Sequence, residues 1–191
     1  MLDRFRKTET ERLLLREITL DDADALFEIC SNDNVTRYLT YPSHQDVSLT
    51  RKIIQSWVDR NVTDHIPIPY ALILKAENRM IGQIDYVYCE SDIVEVGYQL
   101  NEDYWGRGYM SEALTQLIRE SFTYMGVRRI EIRHMVSNHR SQRVIEKAGF
   151  IYEGTARKYG YNKETGQFED CRMYALLKEE WESRENERIG Q

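Results

Sequence analysis

The pattern of hydrophobic and polar residues predicts a chain in which helices and strands are intermixed. Apolar positions three and four apart, as at Leu26 and Cys30, indicate amphipathic helices, and short apolar runs between turn residues indicate strands. Thr19 is placed to cap the first helix, and Gly126 and Gly149 are placed to end later ones. The predicted helices span residues 20–31, 46–63, 109–125 and 138–149. The predicted strands span residues 12–16, 70–76, 80–89, 93–100, 127–135, 150–161 and 168–177.

The order of these elements predicts one α+β domain, which can also be described as an α/β three-layer domain. Two helices come first, followed by an antiparallel meander, a strand–helix–strand unit and a closing hairpin. The expected architecture is a central mixed, mostly antiparallel sheet of about seven strands flanked by about four helices. The domain is expected to span residues 1–178, and the charged segment 179–191 is expected to be a frayed tail.

Composition and charge argue against several classes of function. Of the 191 residues, 41% are hydrophobic and 30% are charged, which suits a full core and a solvated surface. A net charge of −6 argues against a nucleic-acid partner, and no apolar run reaches the roughly 20 residues that span a membrane. The first residues lack the apolar segment of a signal peptide, and the three cysteines form no C-x-x-C pair. We therefore expect a cytoplasmic protein with reduced thiols.

Two glycines directly before the longest predicted helix are the first sign of a ligand site. The segment Trp105-Gly106-Arg107-Gly108 connects the strand 93–100 to the helix 109–125. Backbone N–H groups at a helix start carry partial positive charge, and glycines allow an anion such as phosphate to approach them. The pattern is neither G-x-G-x-x-G nor a P-loop, so neither a dinucleotide fingerprint nor a triphosphate loop is supported. An ordinary strand–helix turn is the alternative interpretation.

Three polar residues in neighbouring elements are candidates for chemistry. Glu95 lies within an apolar strand, where partial burial would raise its pKa and favour a proton-accepting role; an exposed position is the alternative. Asn138 and Ser141 open the helix that follows the next strand, at the sheet edge that holds the glycine loop. Their simpler roles are an N-cap and a surface residue. The four histidines have no metal-ligand spacing, so no metal is expected.

A series of short motifs between Thr10 and Gly154 is more specific together than any member alone. In chain order they are Thr10-Glu11-Arg12-Leu13-Leu14-Leu15-Arg16, Glu95-Val96-Gly97-Tyr98-Gln99-Leu100, Trp105-Gly106-Arg107-Gly108-Tyr109, Asn138 with Ser141, Glu146-Lys147-Ala148-Gly149-Phe150, and Glu153-Gly154. Together they resemble the T-E-R-L-x-L-R opening, the E-I-G-Y strand, the W-G-K-G-Y acetyl-CoA loop and the N-x-x-S…E-K-x-G-F segment of GNAT acetyltransferases. The resemblance is to the RimJ/RimL-like branch, the ribosomal-protein N-terminal acetyltransferases.

The resemblance implies a fold and a reaction. It implies the GNAT-like sheet described above, with acetyl-CoA as co-substrate and a primary amine as acceptor. Glu95 is implied as the base that takes the amine proton, directly or through water. Ser141 is implied to protonate or hydrogen-bond the leaving thiolate. Direct transfer is expected rather than an acyl-enzyme, because no cysteine lies beside a histidine in these motifs.

The resemblance also implies where the coenzyme binds. The pantetheine arm is implied to pair with the backbone of β-strand residues as an added strand, with Gly97 easing the bend. Asn138 and Ser141 are implied to contact the arm and its thioester. Met110 departs from the small residue that the branch usually has, although its backbone N–H is retained. The implied coenzyme-binding residues are Tyr98, Gln99, Leu100, Trp105, Gly106, Arg107, Gly108, Tyr109, Met110, Ser111, Asn138 and Ser141.

The acceptor amine is left open by the sequence. A protein N-terminal α-amine of the ribosomal-protein type is the first interpretation, because such an amine is partly neutral near pH 7. The alternatives are a small amine (a polyamine, amino sugar or antibiotic) and a non-catalytic acyl-CoA sensor. The loops at residues 38–45 and 61–70 are expected to recognise the acceptor. The edges of the last hairpin also leave a homodimer open.

Overall fold

Eight strands form one open sheet in the order β1-β2-β3-β4-β5-β6-β8-β7. The structure is a computed structural model that describes residues 7–64 and 67–189. Neighbouring strands of the sheet pair antiparallel, apart from β5 and β6, which run parallel. The strands are β1 (Lys7–Glu9), β2 (Leu13–Glu17), β3 (Tyr70–Leu74), β4 (Arg79–Glu90), β5 (Ile93–Leu100), β6 (Arg129–Met135), β7 (Ile151–Asn162) and β8 (Gln167–Leu177).

Helices cover both faces of the sheet and make two separate cores. One core lies beneath α4, α5 and α6 and includes Val94 and Val96 of β5. The other lies beneath α1, α2 and α3 and is smaller. Because side chains alternate along a strand, the even-numbered residues of β5 face the first core and the odd-numbered ones face the second. The helices are α1 (Ala23–Cys30), α2 (Asp33–Thr36), α3 (Val47–Asp64), α4 (Tyr109–Tyr124), α5 (His139–Lys147) and α6 (Lys178–Ile189).

The predicted α+β architecture, with its mostly antiparallel mixed sheet, is confirmed, and its differences lie in short or charged segments. The short edge strand β1 and the single-turn helix α2 were not predicted. The first predicted helix begins with a 3₁₀ turn, Leu20–Asp22, in which Thr19 and Asp22 form a capping box.

The frayed tail expected from residue 179 is wrong for the described residues, because α6 continues to residue 189. Trp181 anchors this helix, with its ring centroid 5.5 Å from that of Phe122 in α4. One apolar residue is therefore enough to dock a helix that is otherwise charged. No described helix is both long and apolar enough to cross a membrane.

Candidate active site

The pairing between β5 and β6 ends after three residue pairs, and this leaves an open edge. Ile93, Val94 and Glu95 pair with residues 129–131, whereas the rest of β6 pairs only with β8. From Val96 to Leu100, β5 pairs only with β4. A β-bulge at Val87 of β4 lies opposite this point, and bulges increase local twist and bend a strand. The two parallel strands thus form a cleft into which an extended ligand can add as a strand.

Gly97 lies at the start of this open edge, but the bulge itself is in β4. A Cβ atom built on Gly97 would lie 2.6 Å from Cγ2 of Val87, the bulged residue. Only a glycine therefore lets the two strands approach at this point. The sequence analysis linked Gly97 to the bend, and the structure gives the reason as contact with the neighbouring strand.

The glycine loop follows the open edge and begins the longest of the helices on this face. Gly106 and Gly108 have φ angles of 75° and 82°, in the left-handed region that favours glycine. Gly108 is the N-cap residue of α4, so the free N–H groups of the first turn point out of the helix start. Both glycines are exposed, and no atom lies within 4 Å of a Cβ built on Gly106. An anion can therefore reach this backbone directly.

The opening motif of the chain fastens this loop. Arg12 donates through Nε to Glu112 Oε2 at 2.6 Å, and its backbone N–H donates to Oε1 at 2.9 Å. Thr10 donates its hydroxyl to the same carboxylate. Arg12 Nη1 also donates to the carbonyl of Arg107 at 3.0 Å. The first turn of α4 is thus tied to the start of β2, a contact that the sequence analysis did not anticipate.

Three guanidinium groups surround the loop. Arg12 lies over the ring of Tyr109, with its Cζ 4.5 Å from the ring centroid. Arg140 of α5 lies over the ring of Trp105 at 4.6 Å. Arg107, within the loop, lies over the Tyr104 ring at 5.5 Å. The partial charge of the helix start is therefore reinforced by full positive charges, in a chain whose net charge is −6.

Asn138 and Ser141 meet at the start of α5, on the same side of the sheet as α4. Asn138 is the N-cap, and its Oδ1 accepts the N–H of Ser141 at 3.1 Å. The Ser141 hydroxyl lies 2.8 Å from the hydroxyl of Tyr98 on β5. Burial raises the pKa of Tyr98 well above its usual value, so the phenol stays protonated near neutral pH. The structure therefore joins three predicted residues through two hydrogen bonds.

Glu95 lies on the opposite face of β5 and is paired with a cation. Its side chain is 14% exposed, and Oε2 accepts a hydrogen bond from Arg133 Nη1 of β6 at 2.9 Å. Burial raises the pKa of Glu95, and the charge of Arg133 opposes that rise. Arg133 in turn lies 5.0 Å from the ring centroid of Tyr159 in β7. The partner could have been found from the sequence, since Arg129, Glu131 and Arg133 alternate with the apolar residues of that strand.

The open edge thus separates two groups of side chains. Ser141 and Tyr98 lie on the α4 face, and Glu95 with Arg133 lies on the α1 face. Trp105 joins the edge to the loop, because its indole N–H donates to the carbonyl of Leu100 at 2.8 Å. The described residues contain no group of three or more His, Cys, Asp or Glu side chains that could hold a metal ion. His65, one of the histidines considered in the sequence, lies outside the described residues.

An open parallel strand pair, a glycine loop at a helix start and a carboxylate on the opposite face define an acyl-CoA-dependent transferase. The family described as Acetyltransferase (GNAT) domain matches residues 12–151, so the chain belongs to that family. The enzyme therefore transfers an acetyl group, and the RimJ/RimL-like resemblance is confirmed.

Similar proteins agree with this assignment. An uncharacterized N-acetyltransferase, p20 of Bacillus licheniformis, is 34% identical over 174 residues, which are 90% of this chain and 96% of the relative. The ribosomal-protein-serine acetyltransferase of Escherichia coli is 28% identical over 88% of this chain and 94% of its own. The solved structure of RimL, a ribosomal L7/L12 alpha-N-protein acetyltransferase in complex with coenzyme A, has a TM-score of 0.79 at 25% identity. The match covers 88% of this chain and 95% of that one.

Proposed function

We propose that this enzyme transfers the acetyl group of acetyl-CoA to the α-amine of a protein N-terminus. The observation that carries the proposal is the open edge of β5, which leads directly into the anion-binding loop at the start of α4. A pantetheine arm has amide groups that can pair with this edge, and a diphosphate is the anion that the loop suits. RimL, which has the same fold, is known in complex with coenzyme A.

The coenzyme is proposed to extend from the loop along the edge toward Glu95. The amides from Trp105 to Ser111 would hold the diphosphate, with Arg12 and Arg140 as counter-charges. The backbone of Tyr98, Gln99 and Leu100 would pair with the arm. The carbonyl of Leu100 already accepts the Trp105 indole N–H, but a carbonyl oxygen has a second lone pair.

The hydroxyl pair of Ser141 and Tyr98 is proposed to serve the leaving thiolate. Ser141 lies at the start of α5, where the helix N-terminus favours negative charge. Its hydroxyl can donate to the thiolate while Tyr98 donates to the serine oxygen, so the proton supply is longer than one side chain. Full turnover by Ser141→Ala would contradict this role.

The acceptor is proposed to enter from the α1 face, where Glu95 lies. The segment between α2 and α3 borders this face and is fastened from two directions. Lys163, in the turn of the β7–β8 hairpin, donates to the carbonyls of Thr36 and Tyr41. Tyr38 donates its hydroxyl to the carbonyl of Ser137 at 3.3 Å. The predicted recognition loop 38–45 is therefore held in place, whereas the loop 61–70 includes residues 65 and 66, outside the described part of the chain.

A protein N-terminus is favoured over a lysine or polyamine for two reasons. An α-amine with a pKa of about 7.7–8.0 is roughly a tenth neutral at pH 7, whereas a lysine of pKa about 10.4 is almost fully protonated. The Escherichia coli relative is a ribosomal-protein-serine acetyltransferase. A chain terminus can also extend along the exposed aromatic residues of the last hairpin, which include Tyr159 and Phe168.

Release of the coenzyme thiol with a panel of acceptors tests the proposal. Peptides with free N-termini are expected to give kcat/KM values at least about tenfold above those of polyamines and amino sugars. N-terminally blocked peptides that contain lysine are the matched control and should be poor substrates. A preference for a small amine would contradict the acceptor. Coenzyme binding without turnover on any amine would instead indicate an acyl-CoA sensor.

A further inference from the structure

A second carboxylate, Asp85, lies on the same face as Glu95. Asp85 of β4 pairs directly with Gly97 of β5, two residues along the strand from Glu95. Residues that pair across strands, and residues two apart on one strand, share a face of the sheet. A Cβ atom built on Gly97 would lie 3.1 Å from Asp85 Oδ1. The carboxylate thus rests against the bare backbone of β5, where the pairing with β6 has already ended.

A chain of side-chain hydrogen bonds ends on Asp85 and fixes one of its oxygens. The Tyr41 hydroxyl donates to Gln99 Oε1 at 2.6 Å, and Gln99 Nε2 donates to Gln83 Oε1 at 3.0 Å. Gln83 Nε2 then donates to Asp85 Oδ2 at 3.4 Å. Both glutamines are buried, so these bonds are shielded from water. The chain orients Asp85 and leaves Oδ1 on the side of Gly97.

The two carboxylates differ in their charged neighbours. Glu95 has Arg133 at 2.9 Å, whereas Asp85 has no ion pair among the described residues. The other titratable groups that act on or respond to Asp85 are Arg60 of α3, Tyr41, Cys89 and Glu95 itself. Burial raises the pKa of Asp85 to about 7; the charge of Glu95 adds to the rise, while the Gln83 hydrogen bond and Arg60 oppose it. A base whose pKa is near the working pH is the most effective one.

We propose that Asp85 accepts the proton of the acceptor amine, while Glu95, held by Arg133, binds the ammonium group beside the thioester. The inference rests on the proposed function and reassigns the proton-accepting step that the sequence analysis predicts for Glu95. An ammonium ion between a paired and an unpaired carboxylate gives up its proton to the unpaired one, because no guanidinium competes there.

The protons and bonds of this step balance. The ammonium group gives one proton to the Asp85 carboxylate, and the free lone pair forms a bond to the thioester carbonyl carbon. The nitrogen loses its second proton as the carbon–sulfur bond breaks. One proton ends on the coenzyme sulfur, and Asp85 releases the other to solvent, so the products are an amide, the free thiol and one proton.

The test is the pH dependence of kcat for Asp85→Asn and Glu95→Gln, measured with acetyl-CoA and the best peptide acceptor. In the unchanged enzyme kcat should rise with pH, with a midpoint near 7, as Asp85 becomes ionised. Asp85→Asn should lower kcat by roughly 100-fold and remove this midpoint. Glu95→Gln should mainly raise KM for the acceptor and keep the midpoint. Asp85→Glu, which restores a carboxylate, should regain part of the rate.

Three controls separate this result from others. The midpoint should not move when peptides of different α-amine pKa are compared, since a midpoint set by the acceptor would follow that pKa. Asp92→Asn, at an exposed carboxylate paired with Arg128, should leave kcat unchanged. Coenzyme affinity by calorimetry and the circular dichroism spectrum report whether each variant is folded.

If Asp85→Asn does not fold, Gln83→Met keeps the carboxylate and removes its hydrogen bond. Because that bond lowers the pKa of Asp85, its loss should move the midpoint to higher pH. An Asp85→Asn enzyme that keeps kcat and the midpoint would overturn the inference, as would an unmoved midpoint in Gln83→Met. If the unchanged enzyme acetylates no amine, the proposed function fails instead.

Discussion

Glu95 is a largely buried carboxylate whose charge is balanced by one neighbouring side chain. Arg133 supplies the single ion pair of Glu95 among the described residues, and its own side chain is 29% exposed. Removing one partner of such a pair leaves a charge that water reaches poorly, which costs more than the pair contributes. The guanidinium also stacks on Tyr159, so it links the last hairpin to the carboxylate.

Arg133→Met should therefore lower the free energy of unfolding by about 1–3 kcal/mol at pH 8. Burial already raises the pKa of Glu95, and loss of the cation raises it further. A group whose pKa is higher in the folded state favours folding while it is protonated, and that contribution is lost as the pH rises. The deficit should accordingly shrink at pH 5. Urea unfolding at both pH values measures it.

The double variant Arg133→Met, Glu95→Gln is the control for this cycle. Since it leaves no unpaired charge, it should recover most of the stability at pH 8, although the stacking on Tyr159 is lost. Equal deficits at pH 5 and pH 8, or no recovery in the double variant, would show that the cost comes from packing alone.

At the scale of elements, α4 is bounded by glycines that share a conformation but not a neighbourhood. Gly108 at its start has a φ of 82°, and Gly126 just after its end has a φ of 69°. No side chain or backbone atom lies within 4 Å of a Cβ built on Gly126, and only Arg12 Nη2, at 3.5 Å, lies that close to one on Gly108. An alanine is thus disfavoured at both positions by φ and not by crowding.

Gly108→Ala and Gly126→Ala should each lower the free energy of unfolding by about 1 kcal/mol, because an L-residue resists the left-handed region. Only Gly108→Ala should also weaken coenzyme binding, since it adds a methyl group to the anion loop and disturbs its amides. Calorimetry with coenzyme A, beside urea unfolding, measures both effects. Equal affinities for the two variants would argue against the loop as the diphosphate site.

The elements that the sequence predicts are those with strong local signals. The apolar run of β2, the periodic face of α4 and the glycines around it each indicate an element without reference to the rest of the fold. By contrast, β1 is three residues long, α2 is one turn, and α6 is charged apart from Trp181. Their stability comes from contacts with distant residues, which a local pattern does not record.

The same distinction holds for the candidate site. Glu95, Ser141 and the glycine loop could be singled out because each breaks the pattern of its element. Arg12, Arg133, Arg140 and Asp85 could not, because each is an ordinary charged residue until the sheet brings it to the cleft. Asp85 becomes notable only when β4 pairs with β5 and places it beside Gly97.

Over the whole molecule, the net charge of −6 opposes binding of an anionic coenzyme. The enzyme offsets this locally by gathering Arg12, Arg107 and Arg140 around one helix start. Arg140 belongs to α5 and reaches the loop of α4 by stacking on Trp105, so it also joins the two helices across the cleft. Its contribution should be mainly electrostatic, because the guanidinium is close to the loop but forms no hydrogen bond with the described residues around it.

Arg140→Gln should therefore weaken coenzyme A binding by about 5–10-fold at 50 mM salt and by less at 500 mM, where the Debye length is only a few ångströms. Arg140→Lys keeps the charge without the planar stack, so it should retain most of the affinity if charge is what matters. Arg119→Gln is the matched control, since this exposed arginine lies about 15 Å along α4 from its start, where its charge is screened. A loss that is the same at both salt concentrations and is shared by Arg140→Lys would assign the effect to stacking on Trp105, and the charge of the cleft would then come from Arg12, Arg107 and the helix start.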